Sequence, residues 1–306
     1  MNFRLCQFVL FFAAALPSLA VWADDAPRIN RFVELMESGK PAFGIFSSNI
    51  SLRAGASMAA SGLDFVIIDM EHSPYDPTRL EACLVAMTSK TEVLKNGLQM
   101  RTAPIVRVPA AGREQLQFII KQVLDLVGIV VHHVDTPEDA LAMVRACRFP
   151  QLKDAPDHEP KGLRGVGYGW AARQWGISGG EYAERADLWP LDPKGELVLW
   201  LMVESASTVE HIEAIAATPG VGGLFVGPSD LAFSLGVPLG DPAVEEAIEK
   251  VVAAAKESGV PLGALCGGAE VEKRLAQGFT ILAVGTDGGI SGGVQEAVKK
   301  GRAFKK

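Results

Sequence analysis

Several runs of apolar residues in this sequence end in side chains that can perform acid–base or metal chemistry. The clearest reads FVIIDMEHSP, where the apolar residues 65–68 are followed by Asp69, Glu71 and His72. Similar runs contain or precede Arg107, His132 with His133, Glu204, Ser229 with Asp230, and Asp287. Ionisable groups are costly to bury without partners. Their repeated placement after apolar runs therefore predicts a functional site that transfers protons and binds an anion.

Glu204 and Asp230 are the candidate metal ligands. Two carboxylates that face each other in a dry site repel, and a hard divalent cation relieves that repulsion. Magnesium or manganese, and also cobalt, would accept such oxygen ligands and keep coordination positions open for substrate. The alternative is that each carboxylate caps a following helix, because helical segments come next at both places.

Arg107 lies in the run PIVRVP, and a guanidinium within an apolar strand needs an anion. That anion is either the carboxylate or enolate of a substrate, or Asp69 or Glu71 in a structural salt bridge. His72 could be a general base whose tautomer is fixed by Asp69 or Glu71, or a structural histidine held by hydrogen bonds.

The adjacent histidines His132 and His133 look like a metal-binding pair. Successive residues of a strand point to opposite faces, so we expect at most one imidazole to enter the site, and no ligand role. No lysine follows a predicted strand at this site, which disfavours a Schiff-base mechanism.

The elements that must position these groups are short apolar strands separated by helical segments. The predicted strands are 41–46, 65–68, 103–109, 128–134, 197–204, 222–227, 260–266 and 280–285. Eight strands alternating with helices predict an α/β fold of the (β/α)8 TIM-barrel type, whose strand ends meet at one mouth. An open doubly wound sheet is the competing fold, but no glycine-rich dinucleotide turn follows the first strand.

Three other segments carry predictions. A helix is expected at 114–126, and the polar stretch 88–102 is expected to be a surface loop. The stretch GLRGVGYGWAARQWGISGG at 162–180 contains Arg164, Tyr168, Trp170 and Arg173. Its glycines permit close approach to a ligand, so it is either a loop that covers the substrate or an oligomer contact.

The N-terminus has the composition of a secretory signal peptide. A basic residue precedes the apolar stretch 5–16, and Val21-Trp22-Ala23 offers a cleavage site. We expect a signal peptide at 1–23 and a single barrel domain at 24–306, in a periplasmic or secreted protein. An uncleaved anchor is the alternative, although the apolar run is shorter than the ~20 residues of a membrane span. No other segment is apolar enough to insert stably into a membrane.

Charge and cysteine content exclude other classes of protein. A net charge of −7 and a pI near 5.4 provide no basic surface for nucleic acid or anionic lipid. Outside the signal peptide three cysteines remain, at 83, 147 and 266. Their wide spacing fits neither a disulfide framework nor a zinc site, so we expect buried thiols.

Taken together, these motifs resemble the HpcH/HpaI aldolase family, the metal-dependent class II pyruvate aldolases of the phosphoenolpyruvate/pyruvate barrel superfamily. The matching pieces are DFVIIDMEHSP at 64–74, PIVRVP at 104–109, KQVLDLVG at 121–128, VDTPEDA at 134–140, GLRGVG at 162–167, VES at 203–205 and GLFVGPSDLAFSLG at 223–236. The resemblance begins near residue 40, reaches the C-terminal helix and keeps its order throughout.

The resemblance implies cleavage of 4-hydroxy-2-oxo acids to pyruvate and an aldehyde through a metal-stabilised enolate. Glu204 and Asp230 would hold the divalent ion, and Arg107 would bind the oxo-acid and its enolate. His72, supported by Asp69, would move the proton of the hydroxyl group at the cleaved bond. The substrate carboxylate would lie against the backbone at Gly227, Pro228 and Ser229. The family also implies a homo-oligomer, a hexamer or another trimer-based assembly.

Three departures from the family pattern bear on the substrate. Met202 stands where members often carry glutamine, His132-His133 replace a region that usually contains proline, and the predicted signal peptide is unusual for these enzymes. Two alternatives remain open: an acyl-CoA lyase of the citrate or malyl-CoA lyase type, and an exported barrel that binds an oxo-acid without catalysis.

Overall fold

Eight parallel strands form the centre of the molecule and close into a barrel in which β8 pairs with β1. The computed structural model describes residues 27–74, 76–88, 90–109, 127–156, 159–286 and 290–305. The strands are β1 (Ala42–Ser47), β2 (Phe65–Asp69), β3 (Ala103–Arg107), β4 (Gly128–Val131), β5 (Val198–Val203), β6 (Gly223–Val226), β7 (Leu262–Leu265) and β8 (Ile281–Ala283). The predicted (β/α)8 architecture is confirmed. The predicted signal peptide, the predicted helix 114–126 and Asp287 lie outside the described residues.

Among the described residues, helices lie in each connection between successive strands other than that from β3 to β4, and they cover the outside of the barrel. They are α1 (Arg31–Glu37), α2 (Leu52–Ala59), α3 (Pro77–Ala86), α4 (Lys90–Asn96), α5 (Pro137–Cys147), α6 (Gly169–Trp175), α7 (Gly179–Arg185), α8 (Ala206–Glu210), α9 (Ile212–Ala216), α10 (Pro228–Leu235), α11 (Pro242–Ser258), α12 (Val271–Gln277) and α13 (Gly292–Ala303). No helix in these ranges is long and apolar enough to cross a bilayer.

Two predicted loops contain helices instead. The polar stretch 88–102 includes α4, so its prediction as an irregular loop was wrong. The stretch 162–180 includes α6, and its Arg164 is buried. Arg164 donates to the carbonyl oxygens of Cys147 and Ala186, and its guanidinium lies 3.9 Å from the centre of the Phe149 ring. This arginine therefore anchors the segment within the fold.

The barrel interior is filled with large apolar side chains, as expected for strands buried on both faces. Trp200 of β5 is central: its ring stacks on Phe225 at 6.1 Å and meets Phe65 edge-on at 5.3 Å between ring centres. Phe32 of α1 packs against the same indole at 4.8 Å. These aromatic contacts fill the interior of the barrel between its two ends.

The amino-terminal end of the barrel is held by a buried carboxylate. Glu196, just before β5, accepts hydrogen bonds from the backbone N–H groups of Ile29 and Asn30 at 3.0 and 2.9 Å. The Asn30 side chain in turn donates to the carbonyl oxygens of Val127 and Glu196. The start of the described chain is therefore fixed at the face opposite the strand ends.

Candidate active site

Asp69 and Arg107 form the centre of the polar cluster at the carboxyl ends of the strands. They are direct partners in the parallel register of β2 and β3, so the backbone itself places them side by side. Nε of Arg107 donates to Oδ1 of Asp69 at 2.9 Å, and Nη2 donates to Oδ2. Burial favours the neutral form of Asp69, but the hydrogen bond and charge of Arg107 outweigh it and lower the pKa of this carboxyl. The pair is therefore ionised and bidentate.

Glu71 is the second carboxylate on Arg107. Nη1 of Arg107 lies 2.9 Å from Oε2 of Glu71. The sequence left open whether the arginine meets a substrate anion or these carboxylates, and the structure has both carboxylates in contact with it. The guanidinium also lies 5.0 Å from the centre of the Phe46 ring. This contact with Phe46 was not predicted from the sequence. The position of Phe46 near the end of β1 was the signal that could have placed it among the strand-end residues.

His72 lies at the exposed rim of this cluster, with 63% of its side chain accessible. Its Nδ1 is 2.6 Å from Nη2 of Arg107 and 3.3 Å from Oδ2 of Asp69. Both contacts involve the same ring nitrogen, so Nε2 is the atom that can face a substrate. Nδ1 accepts from Arg107 in one tautomer and donates to Asp69 in the other, and only the second leaves Nε2 unprotonated. Asp69 also accepts the backbone N–H groups of Glu71 and His72, which fixes the turn that carries the imidazole.

Glu204 follows β5 and is mostly buried beside Gly227. Burial raises the pKa of Glu204 to about 8, and the negative charges of Asp230 and Glu71 add to that increase. The alternative role as a helix cap is excluded for Glu204, because the hydroxyl of Ser205 caps α8 through the backbone N–H of Thr208. The Glu204 carboxylate therefore does not cap α8.

Asp230 lies in the first turn of α10, the helix that begins directly after β6. Gly227 occupies the position before the helix, and no side chain hydrogen-bonds to the helix end there. Pro228 contributes no N–H group, so the exposed amides of Ser229 and Asp230 are the first that the helix offers. Such an end favours an anion through its partial positive charge.

These residues fit a divalent cation. Two carboxylates converge, and a cation between them relieves the repulsion that raises the pKa of Glu204. Gly227 has no Cβ, and an added one would fall 2.6 Å from Oε1 of Glu204. The space beside the carboxylate thus exists only because residue 227 is glycine. Of the residues predicted at the site, the structure brings Asp69, His72, Arg107, Glu204, Gly227, Pro228, Ser229 and Asp230 to the same end of the barrel.

His132 and His133 differ from the prediction. Strand β4 ends at Val131, before both histidines, and His133 has a backbone φ of 53°. The alternation of a strand therefore no longer applies, and both rings reach Glu71, with their centres 4.9 Å apart. The expectation that only one imidazole could enter the site was wrong. Burial lowers the pKa of His132, against the opposing charge of Glu71.

Comparison with known proteins identifies the family. A model of the HpcH/HpaI aldolase/citrate lyase family matches residues 43–291, a range that includes all of the strand-end residues above. The chain belongs to this family. Among its HpcH/HpaI relatives, the 5-keto-4-deoxy-D-glucarate aldolase of Klebsiella pneumoniae subsp. pneumoniae is 31% identical over 289 residues, covering 92% of this chain and 100% of the relative. The enzyme of that name from Escherichia fergusonii is 32% identical over 267 residues, covering 85% and 92%.

A solved structure agrees with these sequence matches. An HpcH/HpaI aldolase/citrate lyase family protein from Burkholderia cenocepacia J2315 is 29% identical and has a TM-score of 0.70, covering 90% of this chain and 100% of that one. The predicted family and the prediction of an aldolase, a carbon–carbon lyase, are confirmed. The acyl-CoA lyase and the non-catalytic barrel are not favoured, because the curated relatives are aldolases.

Proposed function

We propose that this aldolase is metal-dependent, that it cleaves 4-hydroxy-2-oxo acids to pyruvate and an aldehyde, and that the strand-end cluster is its active site. The observation that carries the proposal is the pair of carboxylates at the strand ends, where burial and the charge of Asp230 raise the pKa of Glu204 to about 8. A carboxyl group with a raised pKa beside a second carboxylate is typical of a pair of residues that binds a divalent cation.

Glu204 and Asp230 would hold the ion, magnesium or manganese with cobalt as a substitute. When bound, the ion supplies Lewis acidity at the 2-oxo group, which contributes several kcal/mol of charge stabilisation. The oxygen-only donor pair favours these hard cations over softer metals. The substrate carboxylate would lie at the N-terminus of α10, against Gly227, Pro228 and Ser229, where the helix amides attract an anion.

Proton transfer would fall to His72. In the tautomer whose Nδ1–H donates to Oδ2 of Asp69, Nε2 is unprotonated. It takes the proton of the 4-hydroxyl group while the bond between C3 and C4 breaks, and the bonding electrons pass into the enolate of pyruvate. Protonation of C3 then completes pyruvate, and the former C4 leaves as the carbonyl carbon of the aldehyde. A placed base contributes about 10²–10⁴-fold to such a step. Arg107 supplies fixed positive charge near the enolate, and Asp69 and Glu71 hold the guanidinium in place.

The aldehyde half of the substrate would meet the part of the site that departs from the family pattern. The sulfur of Met202 lies 4.0 Å from Nη1 of Arg107, where members of the family often carry a glutamine amide. A thioether is a weak acceptor, so this N–H of Arg107 is left for a substrate oxygen. The curated relatives are named for 5-keto-4-deoxy-D-glucarate, and this polyhydroxylated oxo-diacid is the first substrate to try.

The proposal extends to the cellular context. Cleavage of residues 1–23 as a signal peptide would deliver the enzyme to the periplasm or the medium. There it would act on small oxo-acids outside the cytoplasm. A homo-oligomer, hexameric or otherwise trimer-based, is the assembly that the family resemblance implies.

A coupled pyruvate assay tests the activity directly. Purified protein is incubated with a panel of 4-hydroxy-2-oxo acids that includes 5-keto-4-deoxy-D-glucarate, with magnesium, manganese or cobalt. We expect pyruvate release that a chelator abolishes and added ion restores. Turnover indifferent to the chelator would refute the metal-dependent mechanism, and thermal stabilisation by these acids without any product would support a binding protein instead.

A further inference from the structure

Glu71, His132 and His133 form a cluster of which the proposed cleavage uses only the contact between Glu71 and Arg107. One ligand atom from each lies within 4.8 Å of the other two. Nδ1 of His132 is 3.3 Å from Oε1 of Glu71, while the other oxygen of this carboxylate faces Arg107. The two oxygens of Glu71 thus divide their contacts between the proposed enolate site and the histidine pair.

The hydrogen bonds of His132 determine what its Nδ1 offers. Nε2 lies 3.2 Å from the carbonyl oxygen of Pro109, which can only accept, so a neutral ring carries its proton on Nε2. Nδ1 then presents a lone pair towards the carboxylate oxygen of Glu71. Two acceptors at this distance repel each other unless positive charge lies between them. A proton would satisfy this one contact, whereas a cation would satisfy the imidazole of His133 as well.

The backbone at His133 is shaped for this convergence. Among the described residues it is the only one other than glycine with a positive φ, at 53°. Histidine adopts this conformation at a cost, and non-glycine residues that do so are concentrated at functional sites. This backbone conformation places the exposed imidazole of His133 beside the fully buried imidazole of His132, with ring centres 4.9 Å apart.

We propose that Glu71, His132 and His133 form a second divalent-cation site, selective for a borderline metal such as zinc, that is separate from Glu204 and Asp230. Two imidazoles and one carboxylate suit zinc, cobalt or nickel better than magnesium. Three protein ligands leave at least one coordination position for water or a substrate oxygen. The carbonyl of Pro109 orients His132 as outer partners of zinc-binding histidines commonly do. Bond lengths of about 2.0–2.1 Å require the three donor atoms to move closer together, and His133 is the exposed member of the set.

The test uses a protein in which the other metal site has been removed. Glu204→Gln keeps the size of this partly exposed side chain and removes its negative charge, so we expect the variant to fold and to lose the metal site at Glu204 and Asp230. Zinc binding to it is measured by calorimetry in excess magnesium, and cobalt binding by the visible d–d spectrum, which reports nitrogen ligands. We expect one equivalent of each metal to bind, and magnesium not to compete.

Three second substitutions in the Glu204→Gln protein assign the ligands. His133→Ala should weaken zinc binding by more than about 100-fold, beyond the effect of losing an outer partner alone. His211→Ala removes another exposed histidine, the residue directly after α8, and should leave binding unchanged. His72→Ala should also leave it unchanged, although His72 lies 3.9 Å from Oε2 of Glu71.

Three outcomes would overturn the second site. They are the absence of zinc and cobalt binding to Glu204→Gln, full binding in His133→Ala, and loss of binding in His72→Ala. The last result would place the ion on Asp69, Glu71 and His72, the neighbouring cluster of possible ligands. None of these readouts depends on aldolase activity, so the second site and the proposed cleavage can fail separately.

Discussion

Gly227 and Glu204 are in contact across neighbouring strands in a way that permits no side chain at residue 227. An added Cβ would lie 2.6 Å from Oε1 and 2.8 Å from Cγ of Glu204. The pairing of Val203 with Val226 sets this relationship, because the residue after each strand then stands beside the other. The Glu204 carboxylate can adopt its present orientation because Gly227 has no Cβ.

Gly227→Ala should therefore damage the metal site more than the fold. The methyl group would displace the Glu204 carboxylate, so we expect manganese to bind at least about ten times more weakly and kcat to fall, since ligand geometry governs such sites. Calorimetry with manganese and the pyruvate assay measure the two effects. Gly240→Ala is the matched control, because nothing lies within 4 Å of the added Cβ there. Equal manganese affinity in both variants would contradict the structure.

The pH dependence of stability should reveal the raised pKa of Glu204. Its folded-state pKa is about 8 against an ordinary 4.5, so between these values the native protein keeps a proton that the unfolded chain releases. For protein freed of metal by a chelator, the free energy of unfolding should therefore decrease as pH rises from about 5 to 8. Glu204 contributes at most ~1.4 kcal/mol per pH unit to this decrease.

Two comparisons isolate that contribution. Glu204→Gln should flatten the decrease, because an amide does not titrate. Saturating magnesium should also oppose it, because a cation favours the ionised carboxyl. Chemical denaturation at a series of pH values provides the data. A wild-type profile that coincides with that of Glu204→Gln would show that this carboxyl ionises normally.

Removing Asp69 should cost both stability and activity. Asp69→Asn leaves the buried guanidinium of Arg107 with weaker compensation, and breaking a buried ion pair costs about 3–5 kcal/mol. The remaining charge of Glu71 reduces that cost, so we expect the lower end of this range. Because Arg107 is no longer held, kcat should decrease even in the folded fraction. Denaturant titration and the pyruvate assay below the unfolding transition separate the two losses.

Asp187→Asn is a suitable comparison for Asp69→Asn. Asp187 makes an equally buried bidentate pair with Arg148, at 2.8 Å for both contacts, on the opposite side of the barrel from the strand ends. Its loss should destabilise the protein by at least as much as Asp69→Asn does, while kcat per folded molecule stays unchanged. If Asp187→Asn lowered kcat as much as Asp69→Asn, the loss in the latter would be attributable to the fold alone.

His72→Ala should lower activity while leaving stability nearly unchanged. Its side chain is largely exposed, so the free energy of unfolding should change little. Without the base, kcat should fall by about 10²–10⁴-fold. Single-turnover kinetics with saturating substrate would measure the chemical step itself. Full single-turnover activity in His72→Ala would transfer the role of base to another residue.

The positions of the strands and the residues at their ends were predictable because both depend on local sequence. Buried parallel strands read as apolar runs, and a barrel brings their carboxyl ends together whatever the distance along the chain. The likeness of β2, β3, β5 and β6 to the family motifs then supplied the expected roles. What the pattern could not decide was the partner of Arg107, because that depends on the register that sets Asp69 opposite it.

The histidine pair shows where local reasoning fails. The prediction for His132 and His133 assumed that β4 continues through both, but the strand ends at Val131 and the chain turns at His133. Nothing in VVHHVD marks a positive φ at a histidine, because glycine or asparagine is the usual signal. Arg164 lies in a glycine-rich stretch that was interpreted as a loop that covers the substrate or as an oligomer contact, and neither interpretation predicted that its hydrogen bonds lie inside the fold.

The anchoring of Asn30 by Glu196 has a practical consequence for handling the protein. Both residues lie at the amino-terminal end of the barrel, so whatever precedes Pro27 joins the molecule on the side away from Asp69, Arg107 and Glu204. An affinity tag, a reporter domain or a tether to a solid support fused at this point would leave the substrate entrance unobstructed. The enzyme is thus suited to immobilisation through a tether joined directly before Pro27.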